Sequence, residues 1–166
     1  MALIGASLLS GCGYHTMGGS GHMPPGTRTI AVPMFATKTT NNHTEITLTQ
    51  AVVRELLTRT RLRVVPSADA DADAVLHGTI VSQMVAPLTY NSVTQESSSF
   101  LITMVVAVKL VSRDGRVLYA NDNYVFRQQY QSTTDLTTYL QEDPAAMTRL
   151  SEDLAHGLVL DILDSF

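Results

Sequence analysis

This chain has a single cysteine, Cys12, and no tryptophan. One cysteine excludes an intramolecular disulfide, and without a Cys-x-x-Cys pair a zinc site built from thiolates is excluded as well. Charged residues make up only 16% of the chain, whereas typical soluble domains have about a quarter. The formal net charge is −4 and no run of five basic residues occurs, so we expect no nucleic-acid partner.

The sequence also lacks long hydrophobic runs and catalytic motifs. The longest apolar stretch, residues 100–111, contains Thr103 and Lys109 and falls short of the ~18 residues of a membrane-spanning helix. There is no GxSxG elbow, phosphate-binding loop, GxGxxG or HExxH motif. The acidic run at 69–73 lacks the Gly and Glu that complete a calcium loop. We therefore expect that this protein is not an enzyme and that it has no cofactor and no metal site.

The first residues indicate how the protein is targeted to a membrane. Residues 1–11 form a short apolar segment, and Leu9-Ser10-Gly11-Cys12 resembles the lipobox of bacterial lipoproteins. In that class the chain is cut before the cysteine, which then carries diacylglycerol and an N-linked acyl chain. Several acyl chains anchor a protein stably where a single one binds only marginally. We assign residues 1–11 to a lipoprotein signal peptide whose basic segment is missing here, as a start further upstream would explain.

A flexible tether is expected to follow the anchor. Residues 12–26 comprise the acylated Cys12 and a stretch rich in Gly and broken by Pro. Gly13 follows Cys12 where inner-membrane lipoproteins commonly carry Asp, so similarity to that sorting pattern favours the outer membrane of a Gram-negative bacterium. Residues 27–166 are then expected to form a single domain.

Hydrophobic periodicity in residues 27–166 predicts a mixed sheet with two helices. Strands are predicted at 27–35, 61–66, 74–87 and 100–111, with a return strand to about residue 130, a loop at 88–99 and helices at 44–60 and 142–166. The strand-helix-strand start predicts a parallel pair, and Asp114-Gly115 predicts a hairpin turn. We expect an α/β (α+β) two-layer sandwich with a mixed sheet of four to five strands and both amphipathic helices on one face. The other face must be solvated or covered by a partner.

The alternation of apolar and polar residues along each strand assigns individual side chains to one face of the sheet. The predicted same-side sets are Ile30, Val32 and Met34; Leu76, Ile80 and Met84, with Gln83 outward; and Leu118, Ala120, Tyr124 and Phe126. Asp122 falls on the same side as the last set, which predicts either a bulge or a frayed middle of the strand. Thr44 and Asp143 are expected to cap the helices, with Pro144 in the first turn of the second. Gly157 in mid-helix costs ~1 kcal/mol relative to Ala, so we expect a strand or a partner to approach it closely.

Five segments together resemble a known family, the lipopolysaccharide-assembly lipoproteins called LptE. They are the lipobox with CGYH at 12–15, TIAVPMF at 29–35, LTQAVVRELLTRTRLRVV at 48–65, ADAVLHGTI at 72–80 and MTRLSEDLAHGLVLDIL at 147–163. The resemblance covers nearly the whole chain from Cys12 to Phe166, and CGYH is its most specific element.

The resemblance implies a function without catalysis. Members of the family sit inside the large outer-membrane β-barrel LptD, help it assemble and bind lipopolysaccharide during delivery to the outer leaflet. This chain would then be a monomer in a one-to-one complex at the periplasmic face of the outer membrane. Since lipopolysaccharide is anionic, Arg113 and Arg116 at the hairpin tip, with Lys109 and Arg127 on adjoining strands, are candidate contacts. The alternatives are an ordinary solvated hairpin and, for the protein, a periplasmic adaptor lipoprotein that activates a cell-wall synthase or joins a secretion pore.

Overall fold

The computed structural model describes residues 23, 26–40, 43–67, 71–91, 96–131 and 136–166. The assignments made for Cys12, for the signal peptide at 1–11 and for most of the tether at 12–26 lie outside the described residues.

Within the described ranges the chain forms six strands and two helices. They are β1 (Thr29–Ala31), β2 (Ala36–Thr37), α1 (Thr44–Arg59), β3 (Arg63–Val65), β4 (Ala74–Asn91), β5 (Glu96–Ser112), β6 (Val117–Gln131) and α2 (Leu136–Asp164). All strands belong to one sheet of order β3-β1-β4-β5-β6, with β2 attached to β4. β1 is parallel to β3 and to β4, whereas β4, β5 and β6 are antiparallel. The mixed α/β architecture and the parallel first pair are confirmed, and β2 raises the strand count above the four or five expected.

One hydrophobic core fills the space between the helices and one face of the sheet. The β5 residues that point into it are fully buried and alternate with partly exposed ones such as Val105 and Ala107. The buried set comprises Ile102, Met104, Val106, Val108 and Leu110 of β5, Leu48, Val52 and Leu56 of α1, and Leu150, Leu154, Leu158 and Ile162 of α2. The helices contact each other as well as the sheet. The predicted apolar stripes and the placement of both helices on one face are therefore confirmed.

The segment between β1 and α1 differs from the prediction in two places. Met34 is 57% exposed, and Phe35 takes the inward position because β1 ends at Ala31 and strand alternation ends with it. The N-cap of α1 is His43, in the left-handed region with φ of 68°, and not the predicted Thr44. Thr44 is the first residue of the helix and is buried, so its side chain is not at the cap.

A bulge in β4 reverses the alternation of that strand. Ile80 pairs with Val106, but the next pair is Ser82 with Val105, which leaves Val81 as an extra residue. Gln83 consequently pairs with the buried Met104, and Met84 is 66% exposed. The prediction that Met84 points inward and Gln83 outward is wrong for this reason.

Of the two alternatives at Asp122 in β6, a bulge or a frayed middle, the structure has the bulge. Val106 pairs with Tyr124 and Val108 with Asn121, so β6 has one extra residue in this interval, and Asp122 itself is exposed. Tyr124 and Phe126 stack on each other with ring centroids 5.3 Å apart.

The same bulge corrects the predicted side of the residues before it. Tyr119 pairs with the buried Leu110, whereas Ala120 pairs with Lys109 on the other face and is exposed. Ala120 therefore does not share a side with Tyr124, although Leu118 is half-buried against the core.

Helix α2 begins at Leu136, eight residues before Pro144, so the predictions that Asp143 caps it and that Pro144 lies in its first turn are wrong. A proline inside a helix removes one backbone hydrogen bond, and α2 continues across that gap. The loop predicted at 88–99 is also too long, because β4 extends to Asn91 and β5 begins at Glu96.

The close approach predicted at Gly157 is confirmed. A Cβ atom at this position of α2 would lie 3.0 Å from the hydroxyl oxygen of Tyr124 and 3.1 Å from Cζ of Phe126. The missing side chain thus lets the helix pack directly on the aromatic pair of β6.

Candidate functional site

The face of the sheet opposite the helices is a candidate surface for a partner. We call it the outer sheet face. It comprises Val75, His77, Thr79 and Met84 of β4, Thr103, Val105, Ala107 and Lys109 of β5, and Ala120, Val125 and Arg127 of β6. None of the described elements covers these side chains, which are partly or fully exposed.

The centre of the outer sheet face is uncharged and consists of small side chains. Val105 lies between Val125 and Ser82, and Ala107 lies opposite Thr79. Charge is confined to its margins, with Lys109 near the end of β5 that leads into the hairpin. A solvated antiparallel face usually carries polar and charged side chains, so this uncharged centre, with its two partly exposed valines, favours contact with a partner.

Strand β6 ends the sheet and presents an open edge. It is 15 residues long and, among the described residues, it pairs only with β5. An open strand edge can pair with another chain unless bulges, twist or charges discourage it. The bulge at Asp122 and the exposed Arg127 lie on this strand and limit such pairing.

The guanidinium group of Arg113 is engaged in hydrogen bonds and an ion pair within the protein. Its Nε and a terminal nitrogen donate hydrogen bonds to the carbonyl oxygens of Ala72 (3.1 Å) and Asp71 (2.7 Å). The same terminal nitrogen lies 3.2 Å from Oδ1 of Asp73. Arg113 therefore holds the β5–β6 turn against the segment that leads into β4.

Asp73 is a junction between that segment and β1. Its Oδ2 accepts hydrogen bonds from the backbone N–H groups of Arg28 (2.9 Å) and Thr29 (3.0 Å). These two donors, and then the charge of Arg113, hold the pKa of Asp73 below its usual value.

Lys109, Arg116 and Arg127 are exposed and form no ion pair with any residue that the structure describes. Arg116 follows Gly115, whose φ of 83° completes the predicted hairpin turn. Lys109 and Arg127 both lie on the outer sheet face, but the register puts Arg127 opposite Thr103. Thr103 and Lys109 are six positions apart along β5, or about 20 Å at the usual rise per residue. Arg113 and Arg116 lie in the same hairpin between β5 and β6, whereas Arg127 lies well apart.

A polar cluster joins the exposed sides of the two helices. A terminal guanidinium nitrogen of Arg54 lies 2.9 Å from Oε1 of Glu152. Nδ1 of His156 lies 2.9 Å from Oε1 of Glu55. Glu55 also pairs with Arg59 one turn further along α1. The hydrogen bond from Arg59, and to a lesser degree that from His156, lowers the pKa of Glu55. The spacing of Glu55 and Arg59 by four residues is the signal in the sequence that could have predicted this pair.

A groove that the sequence did not reveal lies at one end of the domain. It has a volume of about 1210 Å³, and its lining includes Arg28, Arg59 and Arg61. We call it the arginine groove. Arg59 and Arg61 cluster visibly in the sequence, but only the pairing of β1 with β3 brings Arg28 beside them.

Two kinds of feature are absent from the part of the chain that the structure describes. No group of three or more His, Cys, Asp or Glu side chains is placed to hold a metal ion. None of the described helices is long and apolar enough to cross a membrane.

Solved structures of other proteins share this fold. A protein from Chlamydia trachomatis is similar with a TM-score of 0.57 and 11% identity, over 84% of this chain and 97% of that one. Lipoprotein B from Nitrosomonas europaea has a TM-score of 0.55 and 14% identity, over 91% of this chain and 88% of that one. A minor lipoprotein from Acinetobacter baumannii has a TM-score of 0.51 and 15% identity, over 83% and 92%. At these identities the similarity is one of fold alone.

Comparison of the sequence with protein-family models identifies the family of this chain. Among curated proteins none matches the chain. The family model LptE, described as lipopolysaccharide-assembly, matches residues 27–162, which is most of the chain and nearly the whole of the folded domain. The chain therefore belongs to the LptE family of lipopolysaccharide-assembly proteins.

Proposed function

We propose that this chain is a lipoprotein at the periplasmic face of the outer membrane, anchored through acyl chains on Cys12. It plugs an LptD-type β-barrel translocon in a one-to-one complex, helps that barrel assemble and assists the delivery of lipopolysaccharide to the outer leaflet. It acts by binding and not by catalysis. The family match over residues 27–162 is the observation that carries this proposal.

The outer sheet face supports a barrel partner. Its centre, formed by Val105, Ala107 and Val125, is small and uncharged, and charged residues are only 16% of the chain. A polar barrel lumen can enclose such a surface without leaving many charges desolvated, which would cost free energy.

An apolar-to-charged substitution at the centre of this face tests the contact. Val105→Arg should reduce capture of the barrel from gently solubilised membranes about tenfold, because the guanidinium would be desolvated against the partner. Leu57→Arg is the matched control, since Leu57 is 55% exposed on α1, away from the sheet face. Equal capture by the two variants, with unchanged thermal unfolding, would exclude the outer sheet face as the barrel contact.

We infer that Lys109, Arg116 and Arg127 contact the phosphate groups of lipopolysaccharide. Their exposed cationic groups are available for phosphate, which arginine binds in a bidentate manner. Arg113, whose guanidinium is engaged by the turn before β4, contributes mainly by holding the hairpin in place.

Charge removal tests these contacts. Lys109→Gln with Arg116→Gln should weaken binding of purified lipopolysaccharide about tenfold or more while barrel capture persists. Lys38→Gln with Arg54→Gln removes the same charge elsewhere and serves as the control. Equal losses in the two double variants would dismiss Lys109 and Arg116 as specific contacts.

Lipidation has its own test. An inhibitor of the lipoprotein signal peptidase should make a larger precursor accumulate in cells, and Cys12→Ser should prevent acylation altogether. A mature form of unchanged size under inhibition would contradict the anchor.

A further inference from the structure

The arginine groove combines cationic and apolar surface at the end of the domain where the chain enters from its N-terminal side. Arg28, Arg59 and Arg61 line it together with Leu62 and Leu160. No carboxylate lies among the described residues that line it. This end is therefore locally basic although the chain has a formal net charge of −4.

Backbone pairing explains why the arginines meet. Thr29 of β1 pairs with Arg63 of β3 in parallel, so the residues just before each strand lie at the same edge of the sheet. The N–H of Arg63 donates to the carbonyl oxygen of Arg28 at 2.8 Å. Helix α1 ends at Arg59, so Arg61 follows at the same edge.

The arginines differ in how far their charges are compensated. Arg28 and Arg61 are exposed and form no ion pair with any described residue. Arg59 pairs with Glu55. The next carboxylate, Asp73, accepts the backbone N–H of Arg28 and lies against Arg113. Arg61 thus remains uncompensated at the groove, and the charge of Arg28 is offset only in part by Asp73, which Arg113 also approaches.

The groove lies close in the chain to the proposed lipid anchor at Cys12. Met23 is buried in the core and lines the groove, so the chain passes this end of the domain immediately before β1. Only ten residues separate Cys12 from Met23, and even fully extended they span at most about 40 Å. A bilayer that holds acyl chains on Cys12 therefore lies within reach of the groove.

We propose that the arginine groove binds the phosphate headgroups of anionic phospholipids in the leaflet that holds the Cys12 anchor, and so sets the orientation of the domain on the membrane. Guanidinium groups pair with phosphodiesters in a bidentate manner, while Leu62 and Leu160 offer apolar surface to the glycerol region. The inference rests on the lipid anchor of the proposed function, and it depends neither on the barrel nor on lipopolysaccharide.

Vesicle binding by the full chain with Cys12→Ser tests the groove without the anchor. This protein should cosediment with vesicles that mix phosphatidylglycerol and phosphatidylcholine, and far less with pure phosphatidylcholine. Each basic residue near an anionic surface contributes about fivefold in affinity, so Arg28→Gln with Arg61→Gln should weaken binding about 25-fold. Lys38→Gln with Arg54→Gln removes the same charge from positions that do not line the groove and should leave binding nearly unchanged.

Three results would overturn the proposal. They are equal losses in the two double variants, equal binding to pure phosphatidylcholine, and displacement by inorganic phosphate beyond that by chloride of the same ionic strength. Unchanged thermal unfolding checks that the variants fold, which their exposed positions lead us to expect. Barrel capture by the wild-type chain is measured in parallel, so a negative vesicle result with intact capture rejects the groove alone.

Discussion

Adding one methyl group at Gly78 should destabilise this protein more than any exposed substitution. A Cβ atom on Gly78, in β4, would lie 2.5 Å from Cζ of Phe35 and closer still to two other carbons of the same ring. Phe35 is only 2% exposed, so its ring has no solvent into which it can move. Its backbone is held as well, because its N–H donates to Oγ1 of Thr49 at 3.0 Å.

The size of the effect follows from overpacking in a close-packed interior. Forcing extra atoms into a full core typically costs 1–3 kcal/mol, and the severity of this overlap places Gly78→Ala at about 3 kcal/mol. For a domain of this size, that loss corresponds to a fall in Tm of about 9 °C. Thermal and urea unfolding followed by circular dichroism measure both quantities.

A double-mutant cycle separates this clash from a general loss at Gly78. Phe35→Leu alone should cost about 1.5 kcal/mol, since it leaves a cavity. Combined with Gly78→Ala it should cost less than the sum of the two single changes by at least 1 kcal/mol, because the ring that clashes is gone. Additive losses would refute the claim that Phe35 packs directly on Gly78.

Three further predictions concern titration and packing. The pKa of Asp73 is lowered by backbone N–H donors, so the free energy of unfolding should fall as the pH drops below about 4, and Asp73→Asn should weaken that dependence in acid denaturation. The pKa of Tyr124 is raised by burial and by its 2.7 Å hydrogen bond to Asp161, so stability should fall as the pH rises above about 10, and Tyr124→Phe should weaken that fall in urea titrations at alkaline pH. Gly157→Leu should cost about 2 kcal/mol in urea unfolding, because its side chain would enter the space of Tyr124 and Phe126; a loss near zero would contradict the close packing.

Hydrophobic periodicity was sufficient to predict the layers of this fold. A helix with one buried face is indicated by the stripe of Leu150, Leu154 and Leu158. A strand with one buried face is indicated by the alternation in β5. Such patterns are local, and the packing of the core agrees with them. An irregularity at Asp122 was predictable for the same reason, because a carboxylate on the core side of a strand breaks its alternation. The pairing of β6 with β5 decides for a bulge over a frayed strand.

The bulge at Val81 could not be found in this way. Its side chain is apolar like its neighbours, and the extra residue is defined by which β5 residue Ser82 pairs with. A shift of one residue sends Met84 to the opposite face, so one unseen long-range pairing is enough to reverse an assignment. The arginine groove was missed for a related reason, because Arg28 and Arg61 are 33 positions apart and meet only through β1 and β3.

Purification of the lipidated chain from gently solubilised outer membranes is the sharpest test of the proposed barrel complex. We predict that an LptD-type barrel accompanies the chain in equal molar amount, and that native mass spectrometry finds one copy of each. A chain that emerges alone, or with a cell-wall synthase or a secretion pore in place of the barrel, would show that the barrel is not its partner.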